Sequence, residues 1–439
     1  MVWHILRYLA VFSFPIFYKR IQGKNVKNMQ VKGPVIIAMN HPNAFSDPTI
    51  FVYITYPTRV RYLARGDAFK PGIISWMLEQ IGIVPIYRIQ DGGKEGLKKN
   101  DEAYKRVNKL LGKNGKIMIF AEGLCVQERR LRPLKKGVAR MVFGAYEYLN
   151  SDNLVVVPVG VNYSQPNKFR STLFYNVGEP IKVKDFIEEY KNNPAKGNKV
   201  FIQALEPKMK ELITHINNKE YDEVVFKIEA LCKKDILKEQ GLSYKNLEHD
   251  YTIVKQITER VNAAEINNST VLNEIKVKAN TYFEALRTNK FRDWLINPHQ
   301  NKNVNSVNLY FRLLLLIIGL PLYILGLAGN YLPYKLTQEV TKKITKGVVE
   351  FYSSLIIGFG IIFFLINYIL WFSITYSFLP NVGWPILICA VLIFCGWFGI
   401  QFYFFKAKTF GMLRILKNKA AAQELLEKRN ELIALINKI

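Results

Sequence analysis

The sequence predicts an α/β domain with a mixed sheet flanked by helices, followed by a helical connector and a C-terminal α-helical transmembrane region. Two observations support this prediction. The first part of the chain alternates strand-length runs of β-branched residues with helical stretches, which is typical of a buried sheet covered by helices. Near the end of the chain, residues 313–334 and 351–405 contain no Asp, Glu, Lys, Arg or His. Uncharged segments of this length favour membrane helices.

Four runs in the first part of the chain have the length and composition of buried strands. They are residues 35–39, 83–87, 116–120 and 155–161. Residues 100–111 separate two of these runs and show the apolar spacing of an amphipathic helix. Between residues 181 and 308, charged and aliphatic residues alternate without strand-like runs, which predicts helices.

The membrane region is predicted to begin near residue 309. A hydrocarbon core of about 30 Å needs roughly 20 apolar residues in a helix, so residues 351–405 are long enough for two spans. In residues 313–334, Gly319 and Pro321 favour a kinked re-entrant segment. The predicted segments are an amphipathic, interfacial N-terminal helix (1–30), the α/β domain (31–200), the helical connector (201–308), a membrane region with one re-entrant or spanning segment and two transmembrane helices (309–410), and a C-terminal amphipathic helix (411–439).

The chain is strongly basic, with 61 Lys and Arg residues against 35 Asp and Glu residues and a formal net charge of +26. Such a surplus is typical of nucleic-acid binding, of attraction to anionic lipid headgroups, or of a site for phosphorylated substrates. The membrane segments and the lack of a nucleic-acid-binding motif favour the last two. By the positive-inside rule, the basic flanks of residues 351–405 are expected on the cytoplasmic face, together with the α/β domain.

The cysteines also bear on the compartment. The four cysteines do not have the spacing of a disulfide framework, which predicts a reducing environment for the soluble part of the chain. The few histidines and cysteines show no metal-ligand spacing, so no metal is expected. The cysteines are Cys125, Cys232, Cys389 and Cys395.

The most informative motif is residues 40–48, Asn-His-Pro-Asn-Ala-Phe-Ser-Asp-Pro, directly after the first predicted strand. A histidine at a strand end with a nearby carboxylate has the arrangement of a general base. The carboxylate fixes the imidazole tautomer and stabilises the imidazolium that forms when the ring takes a proton from a hydroxyl. The motif therefore indicates His41 as a base and Asp47 as its partner, with a purely structural pair as the alternative.

Two further segments indicate anion binding. Residues 120–123, Phe-Ala-Glu-Gly, follow a predicted strand and precede a group of six cations. Glu122 can contact a polar headgroup while Arg or Lys holds its phosphate. A solvated basic loop is the alternative interpretation. Arg88 follows another predicted strand and can hold the same phosphate with two hydrogen bonds. The six cations are Arg129, Arg130, Arg132, Lys135, Lys136 and Arg140.

Together these segments resemble the glycerophospholipid acyltransferase family, which includes glycerol-3-phosphate and lysophosphatidate acyltransferases. The blocks of that family are Asn-His with a nearby Asp, a strand from Gly to Arg, Phe-Pro-Glu-Gly, and an apolar strand with Pro. Here they fall in the same order at residues 40–47, 82–88, 120–123 and 155–160. The resemblance covers about residues 31–181.

The resemblance implies transfer of a fatty acyl group from acyl-CoA or acyl carrier protein to a hydroxyl of a glycerol-phosphate-type acceptor. Glycerol 3-phosphate is the favoured acceptor and lysophosphatidate the alternative. No cofactor is implied beyond the acyl co-substrate, and membrane lipids, but not nucleic acid, are expected partners. The implied site residues are His41 and Asp47 for catalysis and Arg88, Glu122, Gly123, Arg130 and Lys136 for acceptor binding.

The sequence departs from the family pattern in two places. Five residues separate His41 from Asp47, one more than the commoner spacing, and Ser46 stands where the aspartate usually lies. This wider spacing resembles the branch of fungal glycerol-3-phosphate and dihydroxyacetone-phosphate acyltransferases, which also carry membrane segments after the domain. Ala121 replaces the usual Pro, and Leu124 stands where Thr or Gly is common, so the acceptor pocket is expected to differ in detail.

Other functions are consistent with the same residues. A thioesterase-like hydrolase would use His41 to activate water, and a catalytically inactive scaffold would keep the fold for lipid binding. A covalent mechanism at Cys125 is disfavoured, because no histidine lies beside it in the sequence.

Overall fold

The computed structural model describes residues 2–55, 59–66, 72–80, 82–87, 89–300 and 305–439. The chain divides into two compact units. The first contains Met1–His215 together with Gly347–Ile357, and the second contains Ile216–Lys346 together with Gly358–Ile439. The first unit therefore includes a short segment that is far downstream in the sequence.

An eight-stranded mixed sheet forms the centre of the first unit. Its strands are β1 (Arg20–Lys24), β2 (Val35–Met39), β3 (Val60–Arg65), β4 (Ile83–Ile86), β5 (Lys116–Phe120), β6 (Val155–Tyr163), β7 (Thr172–Val177) and β8 (Ile181–Lys182). The order across the sheet is β1-β7-β6-β2-β5-β3-β4, and β8 pairs with β6. Strand β2 is parallel to both neighbours, β5 and β6, whereas β6 and β7 are antiparallel. The predicted α/β fold class is confirmed, and the four predicted strands correspond to β2, β4, β5 and β6.

Helices cover both faces of this sheet. In the first unit they are α1 (Val2–Phe17), α2 (Ser46–Ile54), α3 (Ile73–Gln80), α4 (Ile89–Leu111), α5 (Lys136–Leu149), α6 (Ile187–Asn192) and α7 (Pro194–Glu211). One core contains Ile36 and Ala38 of β2 with residues of α4, α5 and α7. The other contains Val35, Ile37 and Met39 with residues of α1 and α2.

The division of β2 between these cores follows from strand geometry, because successive side chains point to opposite faces. All five residues of β2 have no exposed surface. This explains why the strand is an unbroken apolar run rather than an alternating one. The chain therefore leaves β2 from a rigid position in the middle of the sheet.

The N-terminal helix is shorter than the predicted segment 1–30. Helix α1 ends at Phe17, and Arg20–Lys24 forms the edge strand β1, parallel to β7. The helix is apolar on two sides: Phe14 is buried in the core, while Phe12 is 71% exposed. Strand β1 was not predicted because an edge strand can form through backbone hydrogen bonds without an apolar run.

The second unit is helical. Its helices are α8 (Asp222–Glu239), α9 (Leu247–Asn267), α10 (Ser269–Thr288), α11 (Asp293–Ile296), α12 (Ser306–Thr345), α13 (Tyr352–Phe378), α14 (Gly383–Lys417) and α15 (Lys419–Ile436), of which α13 begins in the first unit. Residues of α8, α9, α10 and α15 share one apolar core. The predicted connector and the predicted C-terminal helix therefore pack together, whereas α7 belongs to the first unit.

Three helices among the described residues are long and apolar enough to cross a membrane. They are α12, α13 with the turn before it, and α14. Residues 313–334 do not form the kinked hairpin, because α12 continues as one helix of 40 residues through Pro321 and Pro333; that these residues re-enter or span the membrane stays a prediction. Proline removes one helical hydrogen bond but does not prevent continuation when the flanking turns are intact.

The glycines of α12 serve close helix packing instead of a turn. A Cβ atom placed on Gly326 would lie 2.4 Å from the carbonyl oxygen of Cys395 in α14, and one on Gly329 would lie 2.6 Å from Leu392. Both distances are shorter than any normal contact. Small residues at such positions allow two membrane helices to approach each other closely.

Candidate active site

The predicted site lies at the carboxyl ends of three neighbouring strands. Met39 of β2 is in register with Phe120 of β5 and Val159 of β6, so the residues that follow meet at one edge of the sheet. The amide of Asn40 fixes the direction in which the chain leaves β2. Its Nδ2 donates to the carbonyl of Val161 at 3.0 Å, and its Oδ1 accepts from the Val161 amide at 2.8 Å.

The structure brings His41 and Asp47 together. The Nδ1 atom of His41 lies 2.8 Å from Oδ2 of Asp47, and the imidazole stacks on the ring of Phe120 with centroids 3.6 Å apart. The histidine side chain is 16% exposed, whereas the aspartate is fully buried. Among the described residues, none forms a hydrogen bond to Nε2 of His41. The ring is thus held at Nδ1 by Asp47 and on one face by Phe120.

The carboxylate of Asp47 has two further donors. The backbone N–H of Asn43 donates to Oδ2 at 2.7 Å, and the hydroxyl of Tyr163 donates to Oδ1 at 2.7 Å. Asp47 also lies in the first turn of α2, where the helix dipole favours a negative charge. A buried carboxylate requires such partners. Burial and the charge of Asp47 raise the pKa of Tyr163 well above its ordinary value, so its hydroxyl stays a donor.

Glu122 connects two loops of the site. Its Oε1 accepts from the backbone N–H of His41 at 3.2 Å, and its Oε2 accepts from that of Arg132 at 3.0 Å. The side chain is buried, and burial raises the pKa of its carboxyl. Gly123 makes the following turn with a φ of +65°, a backbone conformation that favours glycine. In this structure Glu122 holds the loop of His41, and its role in acceptor binding stays a prediction.

We expect Glu122→Gln to lower the free energy of unfolding by about 1–3 kcal/mol, because the amide nitrogen would face a backbone donor and leave it unpaired. Chemical unfolding of the full chain measures this change. Glu147→Gln is the matched control, since Glu147 is exposed on α5 and surface changes usually stay within about 0.5 kcal/mol. Equal effects of the two substitutions would contradict a linking role for Glu122.

The predicted acceptor-binding cations occupy different environments. The Nε atom of Arg130 lies 3.5 Å from a carboxylate oxygen of Glu128, so this guanidinium has a partner within the protein. Lys136 begins α5 and is exposed. Arg88 lies outside the described residues. The contribution of these three residues to acceptor binding therefore stays a prediction.

Cys125 lies beside the His41 motif, where its thiol has a structural partner. Its Sγ accepts a hydrogen bond from the backbone N–H of Ala44 at 3.0 Å. Burial, reinforced by the nearby charge of Asp47, raises the pKa of the thiol and keeps it from ionising. A nucleophilic cysteine requires the opposite shift. Among the described residues, no group of three or more His, Cys, Asp or Glu side chains could hold a metal ion.

Three residues of the site were not assigned a role from the sequence. Tyr163 donates to Asp47, Asn43 connects its backbone to the same carboxylate, and Ser353 donates to Oδ1 of Asn43 at 2.6 Å. Tyr163 could have been found from the sequence. It lies two residues after Val161, the last residue of a predicted strand, so its side chain is expected on the same face of the sheet as that of Val161. Ser353 had none, since it lies inside a run that reads only as membrane helix.

Residues 20–162 match the family model described as Acyltransferase. This region contains His41, Asp47 and Glu122, and the resemblance to acyltransferases that the four sequence blocks indicated is confirmed.

Individual relatives share parts of this domain. The chain is 40% identical over 90 residues to glycerol-3-phosphate O-acyltransferase 1 of Saccharomyces cerevisiae, over 20% of this chain and 12% of that protein. It is 24% identical over 129 residues to the chloroplastic 1-acyl-sn-glycerol-3-phosphate acyltransferase BAT2 of Brassica napus, over 29% of this chain and 34% of that protein. The chain thus spans a small part of the length of these relatives. The crystal structure of the 1-acyl-sn-glycerophosphate acyltransferase PlsC from Thermotoga maritima covers 47% of this chain and 79% of its own, with 14% identity and a TM-score of 0.34.

Proposed function

We propose that this chain is a membrane-bound O-acyltransferase that transfers a fatty acyl group from acyl-CoA or acyl carrier protein to a glycerol-phosphate-type acceptor, with glycerol 3-phosphate favoured. The observation that carries the proposal is the His41–Asp47 pair just after the carboxyl end of β2. Nδ1 of His41 lies 2.8 Å from Oδ2 of Asp47, and Nε2 is available. The match to the acyltransferase family model and the similarity to glycerol-3-phosphate O-acyltransferases of yeast support it.

The proposed reaction is a direct transfer. Nε2 of His41 takes the proton of the acceptor hydroxyl as the oxygen attacks the thioester carbonyl. Asp47 stabilises the imidazolium through Nδ1–H. When the tetrahedral intermediate collapses, the carbon–sulfur bond breaks, and Nε2 returns the proton to the departing thiolate. The products are an ester and a free thiol, and no acyl-enzyme forms.

The acceptor phosphate is proposed to bind the cations that follow Glu122, with Arg130 and Lys136 among them, and Arg88. Charge-assisted hydrogen bonds from guanidinium and ammonium groups suit a phosphate. The exposure of Lys136 at the start of α5 supports this assignment.

We further propose that the catalytic unit faces the cytoplasm. Three long apolar helices support a membrane location. The basic residues before and after the last two apolar segments support the orientation, by the positive-inside rule. Cysteine labelling at Lys343 in oriented vesicles tests this: labelling from the lumenal side alone would contradict it.

The reaction is tested by incubating the purified full chain with acyl-CoA, with and without glycerol 3-phosphate, and following thiol release. Release that depends on the acceptor supports transfer. Release without acceptor indicates a thioesterase, and no release indicates an inactive scaffold. Replacing glycerol 3-phosphate by 1-acylglycerol 3-phosphate separates the favoured acceptor from the alternative that the similarity to BAT2 suggests.

We expect Cys125→Ala to lower the rate of acyl transfer less than about fivefold, because one lost hydrogen bond corresponds to about 1 kcal/mol. Within the described part of the chain, the thiol accepts a hydrogen bond from the backbone N–H of Ala44. Steady-state thiol release measures the effect. A loss as large as that of His41→Ala would favour an acyl-cysteine intermediate over direct transfer.

A further inference from the structure

A segment far downstream in the sequence contacts the motif that contains His41 and Asp47, through Asn43 and Ser46. We call Gly347–Ile357 the returning segment, since it belongs to the first unit although Ile216–Lys346 separates it from the rest of that unit in sequence. Ser353 in this segment has no exposed surface, and Ser46, which begins α2, is 2% exposed. These are buried polar side chains, which require hydrogen-bond partners.

These side chains and their partners form a series of hydrogen bonds, and the direction of each bond follows from which hydroxyl still has a proton to donate. Ser353 Oγ donates to Oδ1 of Asn43 at 2.6 Å, which uses its single proton. Ser46 Oγ, 3.3 Å from Ser353 Oγ, must therefore be the donor in that contact. Ser354 Oγ then donates to Ser46 Oγ at 3.0 Å and accepts from the Ser46 backbone N–H at 3.0 Å.

Asn43 transmits this arrangement to the catalytic pair. With Oδ1 facing Ser353, its Nδ2 donates to the hydroxyl oxygen of Tyr18 at 3.2 Å, so both ends of the amide are held. Its backbone N–H donates to Oδ2 of Asp47 at 2.7 Å. That oxygen is the one that faces Nδ1 of His41. The orientation of Asn43 thus bears directly on the carboxylate that orients the base.

The returning segment also contacts the two loops on either side of the site. The ring of Phe351 lies 5.5 Å from that of Phe45, between centroids. The side-chain amide of Gln127 donates to the carbonyl of Val349 at 3.2 Å. The segment is therefore fixed at both loops as well as at Asn43, which makes the position of Ser353 well defined.

We propose that Ser353 is a positioning residue for acyl transfer, acting through Asn43 on Asp47, and that Ser46, the residue at the usual aspartate position, attaches the motif to the returning segment. This assignment rests on the proposed function. It gives the longer His41–Asp47 spacing a structural purpose, because the added residue supplies the serine that meets Ser353 and Ser354.

The test measures acceptor-dependent thiol release by the full chain carrying Ser353→Ala or Ser353→Thr. Ser353→Ala should lower kcat by about tenfold, because small misplacements of catalytic groups have effects of this order or more, and change KM for either substrate less than about twofold. Ser353→Thr, which keeps the hydroxyl, should restore most of kcat. Ser377→Ala is the matched control on the same helix, since Ser377 is exposed and, among the described residues, its hydroxyl donates to the carbonyl of Ser373 in its own helix.

The outcomes separate the two proposals. If the wild type transfers the acyl group and Ser353→Ala matches it, or if threonine restores nothing in a folded variant, the positioning role is wrong while the function stands. If the wild type transfers nothing, the proposed function fails and the role of Ser353 falls with it. Should Ser353→Ala not fold, Ser353→Cys places a slightly larger side chain with a weaker donor at the same position. It should show the same loss of kcat without a change of KM, and an unchanged kcat would overturn the role.

Discussion

Replacing His41 by alanine is expected to lower kcat/KM for acyl transfer by about 10²–10⁴-fold, the usual contribution of a general base. The fold should persist, because the side chain is partly exposed and Asp47 keeps the donors Asn43 and Tyr163. Activity is measured by acceptor-dependent thiol release, and the fold by the unfolding temperature.

His249→Ala is the control for this substitution. His249 also uses its Nδ1 in a hydrogen bond, accepting from the backbone N–H of Ser243 at 3.2 Å, but it lies in the helical unit. The His249→Ala variant should transfer the acyl group at the wild-type rate. A His41→Ala protein that retains full activity would exclude this histidine as the base.

Asp47→Asn is expected to have an effect of similar size, about 10²–10⁴-fold on kcat. Asparagine preserves the shape of the side chain, and the hydroxyl of Tyr163 can rotate to accept from its amide. The negative charge that stabilises the imidazolium through Nδ1 is lost, however. The loss should therefore fall on kcat rather than on the unfolding temperature.

The neighbouring serine provides the comparison for Asp47. Ser46 occupies the usual aspartate position but faces Ser353 and Ser354 in this structure. Ser46→Ala should reduce transfer far less than Asp47→Asn. Full activity in Asp47→Asn together with complete loss in Ser46→Ala would show that the spacing of the motif has been assigned to the wrong residue.

The parts of the fold that could be predicted are those with a local signal. Strand β2 is buried on both faces, so its five residues are all apolar and stand out in the sequence. Strand β1, Arg-Ile-Gln-Gly-Lys, carries no such run and depends on its pairing with β7. Helix α12 was misjudged because glycine and proline suggested a turn, whereas Gly326 and Gly329 meet the partner helix α14.

The same distinction holds within the site. His41 and Asp47 lie in one short motif, so their pairing could be read from spacing alone. Tyr163 and Asp47 are 116 residues apart, and Ser353 and Asn43 are 310 apart. Contacts at such separations arise from tertiary packing, and a serine in an uncharged run has no local pattern that reveals its partner.

The separation of Asn43 and Ser353 in the sequence also determines when the site can be completed during synthesis. A ribosome releases the amino terminus first, so the loop with His41 emerges long before Ser353, and α12 is made in between. The nascent chain therefore carries its histidine and aspartate without the hydrogen bond from Ser353 until a helix able to cross a membrane has been completed. The order of translation thus delays completion of the His41 loop until a helix long enough to cross a membrane has been made.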